Sequence, residues 1–277
     1  MNKDAVEEKI AAIEALRSGP ANALEPLRKA LRERNNLVCS KAAAVAGDLL
    51  LRELIPDLVA AFERFMKDPA KSDPKCWAKN AIVKALKDLS YDDPAVYLRG
   101  IAHVQLEPVW GGSADSATAL RGACALALVA CTLPRDAILV HLADALADSE
   151  MRVRIDAARA IAQLPGQDSI LMLRVKAQAG DKEPAVIGQC LLSLLGIEPR
   201  ASIPFVARFL TAKNEDLRFE AASALGECPE LAAVETLIAR WRVERSADMK
   251  QAIVLSLGVS RVPEAKEFLE QLSQSPG

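Results

Sequence analysis

Aromatic residues are scarce in this chain, with three Trp, two Tyr and six Phe among 277 residues. Sheet cores lean on aromatic and β-branched side chains. The apolar share of 51% comes here mainly from Ala, Leu, Val and Ile, which suit closely packed helices. An all-α fold is therefore expected. Histidine is scarcer still, with only His103 and His141. The six cysteines (Cys39, Cys76, Cys124, Cys131, Cys190 and Cys228) form no C-x-x-C pair. Neither a zinc site nor a disulfide framework is implied, and no metal or cofactor is expected. Most of these cysteines stand among small apolar neighbours, the usual setting of buried free thiols.

A charge excess is also missing. Basic and acidic residues number 19 against 21 in residues 1–150 and 16 against 16 in 151–277. Nucleic-acid binding without a basic stripe lacks its main driving force, so nucleic acid is disfavoured as a partner. The one locally basic stretch, Lys71 to Lys87, reads as a solvated helix face. The longest near-apolar run, Ala123 to Cys131, is too short to span a bilayer. The first 18 residues mix charges through their apolar positions and read as a capping helix rather than a signal. A cytoplasmic protein without membrane attachment is expected. No P-loop, G-x-S-x-G or H-E-x-x-H is present.

What the chain does have is repetition. "RIDAARAIAQ" at 154–163 and "RFEAASALGE" at 218–227 share their order of basic, acidic, Ala and aliphatic positions. The same ten-residue pattern occurs at 38–47, 78–87, 120–129, 153–162, 187–196, 217–226 and 249–258. Its last residues step by 40, 42, 33, 34, 30 and 32, a spacing that indicates stacked supersecondary units. An amphipathic run such as 137–148 or 203–212 precedes each segment, so each unit reads as a hairpin of two helices, A then B. Short polar turns such as 148–150 and 213–216 supply caps for B. Gly47, Gly196, Gly226 and Gly258 stand where B is expected to stop. Ala-Ala-x-Ala inside B lets that helix approach both its own A helix and the next unit.

The pattern V-R-x-x-A-A-x-A-L-G after a turn resembles the B helix of HEAT repeats, particularly the short bacterial and archaeal kind, over roughly residues 22–272. The resemblance implies an α-solenoid of about seven helical hairpins in one array over 1–277. The N-terminal cap would be 1–18, the repeats 22–260 and the C-terminal cap 263–273. It also implies a structural ladder of acidic turn residues and basic residues early in B, each cation meeting carboxylates of its own and adjacent units: Asp73 before Lys79, Asp115 before Arg121, Asp148 before Arg154, Glu244 before Lys250, and Arg218. Cys39 and Gly188 interrupt the basic series.

Enzymes exist among such repeats. A di-iron hydroxylase branch relies on His-Glu pairs, whereas His103 is followed here by Val104 and His141 by Leu142. DNA-glycosylase-like and phycobilin-lyase-like branches form the alternative reading; for the former, Trp110, Asp115 and Arg154 are the only loose analogues. The main expectation is a monomeric, non-catalytic scaffold that binds a protein or peptide.

Two surfaces are candidates for that contact. Long loops at 67–77 and 107–117 interrupt adjacent units, each with a tryptophan, Trp77 and Trp110. They should lie side by side, with Tyr91 and Tyr97 near the same edge and Asp115 within it. Trp241 should pack on the terminal helix. The other surface is the concave face lined by B helices, with Lys41, Asn80, Lys84, Asp88, Asp156, Arg159, Gln163, Glu220 and Glu227 at outward positions.

Overall fold

The computed structural model describes residues 3–19 and 22–274; Met1 and Asn2, at the start of the expected capping helix, lie outside the described residues. Seventeen α-helices and one two-stranded sheet are formed among them. Every one of the seven motif segments lies on a helix.

The chain groups into two compact units, Met1–His141 and Leu142–Gly277. The first begins with α1 (Lys3–Ala15), which packs on the first B helix. The hairpin α2 (Leu24–Leu31) with α3 (Asn36–Asp48) follows. Next come α4 (Ile55–Phe65), the single turn α5 (Pro69–Ser72) and α6 (Trp77–Asp88). The third pair is α7 (Ala95–Ile101) and α8 (Thr118–Leu128), joined through β1 (Leu106–Val109) and β2 (Gly112–Asp115). B packs on B in the order α3, α6, α8. The unit boundary falls within α9 (Arg135–Leu146), the A helix before α10 (Met151–Ala162).

The second unit continues with α11 (Gln167–Ala179) and α12 (Pro184–Ile197), then α13 (Pro199–Ala207) and α14 (Glu215–Glu227). It ends with α15 (Leu231–Val243), α16 (Ala247–Val259) and the cap α17 (Pro263–Gln274). Here α10, α12, α14 and α16 stack in sequence, and α17 covers α15 and α16. This is the hairpin-on-hairpin packing of an α-solenoid, in which each unit buries the face that a lone pair would leave open.

The small residues sit at the stacking surface. Ala42, Ala43 and Ala46 in α3, Ala157 and Ala158 in α10, and Ala221 and Ala222 in α14 are fully buried. Side-chain caps begin three of the B helices: Asn35 accepts from Leu37 N at 3.0 Å, Asn214 from Asp216 N at 2.8 Å and Ser246 from Met249 N at 3.3 Å, whereas Glu150, from the turn expected to cap α10, makes no such bond. Each cap satisfies amide groups that the first turn leaves open. One expectation is corrected. Gly47, Gly196, Gly226 and Gly258 do not end their helices but lie inside the last turn, and none adopts positive φ. Gly47 and Gly226 instead make room for the next B helix: an added Cβ would lie 3.1 Å from Ala85 Cα and 2.4 Å from the Ser256 carbonyl oxygen, respectively.

Candidate functional site

The long loop of the third hairpin was expected to contain no strand. It is a β-hairpin, with Leu106 opposite Asp115 and Val109 opposite Gly112. Trp110 and Gly111 form the two-residue turn, and Gly111 takes φ 85°, which a residue with a Cβ adopts only under strain. Trp110 is fully exposed at the tip, and Val104, Leu106 and Val109 are each half exposed or more. Such a cluster stands out on a protein surface because most large apolar side chains find cover.

Below the tip the hairpin is tied down by polar groups. Asp115 Oδ1 accepts from Gln105 N at 3.0 Å and Ala117 N at 2.9 Å, and Oδ2 receives Arg121 Nη1 at 2.5 Å. Burial raises the Asp115 pKa, but these bonds outweigh it and hold the carboxyl below its ordinary range. Asp115 was offered as a partner contact; its oxygens are instead engaged in holding the loop.

Glu107 gathers Ser116 Oγ at 2.5 Å, Gln105 Nε2 at 2.7 Å and the backbone N–H of Lys75 at 2.7 Å. That last bond crosses to the other long loop. Gln105 Nε2 also donates to the Asp73 carbonyl at 2.9 Å, so the two insertions are in direct contact. Lys75 and Cys76 both adopt left-handed φ, 62° and 54°, just before α6. Consecutive left-handed residues with side chains are costly, and the bond from Glu107 supports the reversal. His103, whose Nε2 lies 3.1 Å from Gln105 Oε1, has its pKa lowered mainly by burial.

The aromatic neighbours divide. Trp77 is half exposed at the start of α6, with Lys75 Nζ 5.5 Å from its ring centroid. Tyr97, expected near the edge, is fully buried, and its hydroxyl donates to the Tyr91 carbonyl at 3.0 Å. It belongs to the core. Trp241 meets Phe268 of α17 edge to face at 5.5 Å.

The ladder residues fall into three kinds. Asp73 and Lys79 form an ion pair at 3.0 Å with both side chains fully buried, and Asp115 and Arg121 form the next. Arg154 takes the carboxylate of the adjacent unit: it lays Nε and Nη2 on Asp181 of the following hairpin at 2.8 and 2.7 Å, while Asp148 offers its backbone carbonyl at 2.8 Å. Arg218 pairs with Glu215 at 2.6 Å, partly exposed. Lys250 has no rung with Glu244, which pairs with Arg240; its ammonium lies 4.5 Å from the Trp241 ring centroid.

Asp181 carries a pH prediction. Burial pushes its pKa up, but hydrogen bonds from Arg154, Lys176 and the Glu183 amide pull it down to about 2. A depressed carboxylate contributes stability above its unfolded pKa and loses it as pH falls through the folded one. The window is therefore from near 3.8 down to about 2. Asp181→Asn is expected to remove on the order of 2 kcal/mol at neutral pH and to flatten this acid limb in thermal melts taken pH by pH.

Among the outward B residues, Lys84 is exposed and pairs with Asp88 at 2.8 Å, and Lys41 pairs with Glu14 at 3.0 Å. Asp156 is not outward: it is buried and held by Arg152 at 2.7 Å and Arg159 at 3.3 Å. Asn80 buries its Oδ1 without a partner. Gln163 and Glu227 are exposed and Glu220 is half-buried. Among the described residues no group of three or more His, Cys, Asp or Glu is arranged to hold a metal ion.

With this geometry in hand, known proteins can be compared. Residues 173–258, from the middle of α11 to the last turn of α16, match the family described as HEAT repeats. Over these residues the chain carries HEAT repeats. No curated protein matches this chain in sequence. Among solved structures, human deoxyhypusine hydroxylase in complex with glycerol is similar at 18% identity and a TM-score of 0.36, over 92% of this chain and 94% of that one. The expectation of a non-catalytic chain is withdrawn, because a helical-repeat fold does not by itself set a protein apart from enzymes. No helix of the described residues is long and apolar enough to cross a membrane.

Proposed function

We propose that this HEAT-repeat chain is a binding scaffold whose contact element is the hairpin 106–115, and that its partner is a protein or peptide with an apolar recess. The observation that carries this reading is Trp110, fully exposed on a turn whose base is fixed by Asp115, Glu107 and Gln105. A rigid base lowers the ordering cost on association, and burying such a side chain supplies roughly 1.5–3 kcal/mol. Tryptophan at the centre of a small apolar cluster is a common anchor of protein interfaces. Five of the six free cysteines are buried, which fits a reducing, cytoplasmic setting.

Trp110→Ser is the test. A photo-reactive residue at position 109, beside the intact Trp110, identifies the crosslinked partner, and that purified partner is then titrated against parent and variant. The variant is expected to unfold within about 0.5 kcal/mol of the parent, because its side chain touches little. Its affinity is expected to fall by about tenfold or more. Equal affinity in the two proteins would remove the hairpin from the interface.

A further inference from the structure

The B-helix face of the second unit holds a cleft of about 220 Å³ between α10, α12 and α14, whose walls include Arg159, Gly188, Gln189, Leu192, Glu220 and Glu227. Its lining cation is tied down, since Arg159 is held by Gln189 and shares Asp156 with Arg152. Arg159 Nε donates to Gln189 Oε1 at 2.8 Å and Nη1 to Asp156 Oδ1 at 3.3 Å, and Asp156 also receives Arg152 at 2.7 Å. Its negative charge is not. Among the described residues neither Glu220 nor Glu227 receives a hydrogen bond or an ion pair, although Glu220 is half-buried. A partly desolvated carboxylate without a donor is unfavourable, and burial, with the Asp216 charge added, raises its pKa.

The repeat itself shows what is missing. Lys79, Arg121, Arg154, Arg218 and Lys250 occupy the second position of the B motif, and α12 has Gly188 there. A Cβ at 188 would lie 1.9 Å from Glu220 Oε2, so the glycine leaves the volume into which this carboxylate folds. The substitution removes a cation and admits an anion at the same point. An anionic ligand would meet two unpaired carboxylates. A single metal ion could not bridge them, since seven residues along α14 separate them by about 10 Å.

We propose that this cleft receives a cationic side chain, Arg or Lys, from a partner polypeptide, with Glu220 pairing its head group and Glu227 two turns along the same helix. The neighbouring α16 exposes Leu255 and Val259, which suit aliphatic residues next to the basic one. The site lies in a different unit from the hairpin and does not depend on the reading given to Trp110.

The probe is an acetylated and amidated Leu-Arg-Leu peptide, set against its citrulline counterpart, which keeps the shape and loses the charge. Both are titrated into the full chain at low salt and followed by amide chemical shifts. Shifts concentrated at 188–192 and 220–227 are expected with the arginine peptide, and binding about tenfold weaker with citrulline. Glu220→Gln is expected to weaken the arginine peptide by a similar factor, and Glu227→Gln by less. Glu230→Gln, which alters an exposed pair with Arg200 away from the cleft, should leave binding unchanged. Equal binding of the two peptides, shifts lying outside the cleft, or indifference to Glu220→Gln would each overturn the proposal.

Discussion

Asp73→Ala is expected to destabilise the protein by about 3–5 kcal/mol, because it strands Lys79 in the core without its counter-charge. Both side chains are fully buried, with Nζ 3.0 Å from Oδ2. Among the described residues the other acceptor of that ammonium is the Phe65 carbonyl at 3.4 Å. The same carboxylate also closes the start of α6. Oδ1 accepts from Ala78 N at 2.9 Å and from Asn36 Nδ2 at 3.0 Å, while Oδ2 accepts from Lys79 N at 3.0 Å. Losing a cap alone costs about 1 kcal/mol, so the stranded charge dominates. Urea unfolding followed by helical circular dichroism measures the loss.

Two comparisons isolate the cause. Asp73→Asn with Lys79→Met removes both charges and keeps an acceptor for the cap, and is expected to lie within about 2 kcal/mol of the parent. Glu215→Ala breaks the corresponding pair with Arg218, where the carboxylate is 47% exposed, and is expected to cost less than about 1 kcal/mol. If Asp73→Ala matched Glu215→Ala, the rung at α6 would not be a desolvated pair.

The helical pairs were legible in the sequence because apolar spacing and Ala-Ala-x-Ala are local signals that stacking reinforces. Each of the seven motif segments lies on a B helix. The hairpin 106–115 was not legible. Its strands have four residues each, and β1 contains Pro108 while β2 begins with Gly112, so neither shows a run of alternating β-formers. What makes them pair is the network of Gln105, Glu107, Asp115 and Ser116 at the hairpin base, which bonds from Lys75 N to Glu107 and from Gln105 to the Asp73 carbonyl tie to the other long loop.

The choice of carboxylate by Arg154 was not legible for a related reason. Sequence spacing points to Asp148, six residues before it, whereas the guanidinium reaches across to Asp181 in the next hairpin. Repeat arithmetic finds which positions are equivalent; it does not find which of two nearby carboxylates a long side chain reaches. Asp156 shows the same limit, since helical phase placed it outward and two arginines cover it.

The helix-end glycines give the second large effect, because two residues that look alike in sequence should respond with opposite sign. Gly226 and Gly196 each occupy the last turn of a B helix, one residue before its end. Gly226 is buried, and a Cβ there would lie 2.4 Å from the Ser256 carbonyl oxygen and 2.9 Å from its carbon. Those atoms are backbone of α16, so relief requires the two stacked helices to move apart. Gly196 is exposed and has nothing within 4 Å of the same construction. Gly226→Ala is therefore expected to cost about 1–3 kcal/mol through overpacking. Gly196→Ala, at a helical φ with free space, is expected to gain up to about 1 kcal/mol by lowering the entropy of the unfolded chain and improving helix propensity. Amide hydrogen exchange locates the damage: protection should fall in α14 and α16 for Gly226→Ala and stay unchanged in α10. Equal shifts for the two variants would mean that α14 and α16 do not approach closely at this point, and that Gly226 is a helix-end glycine after all.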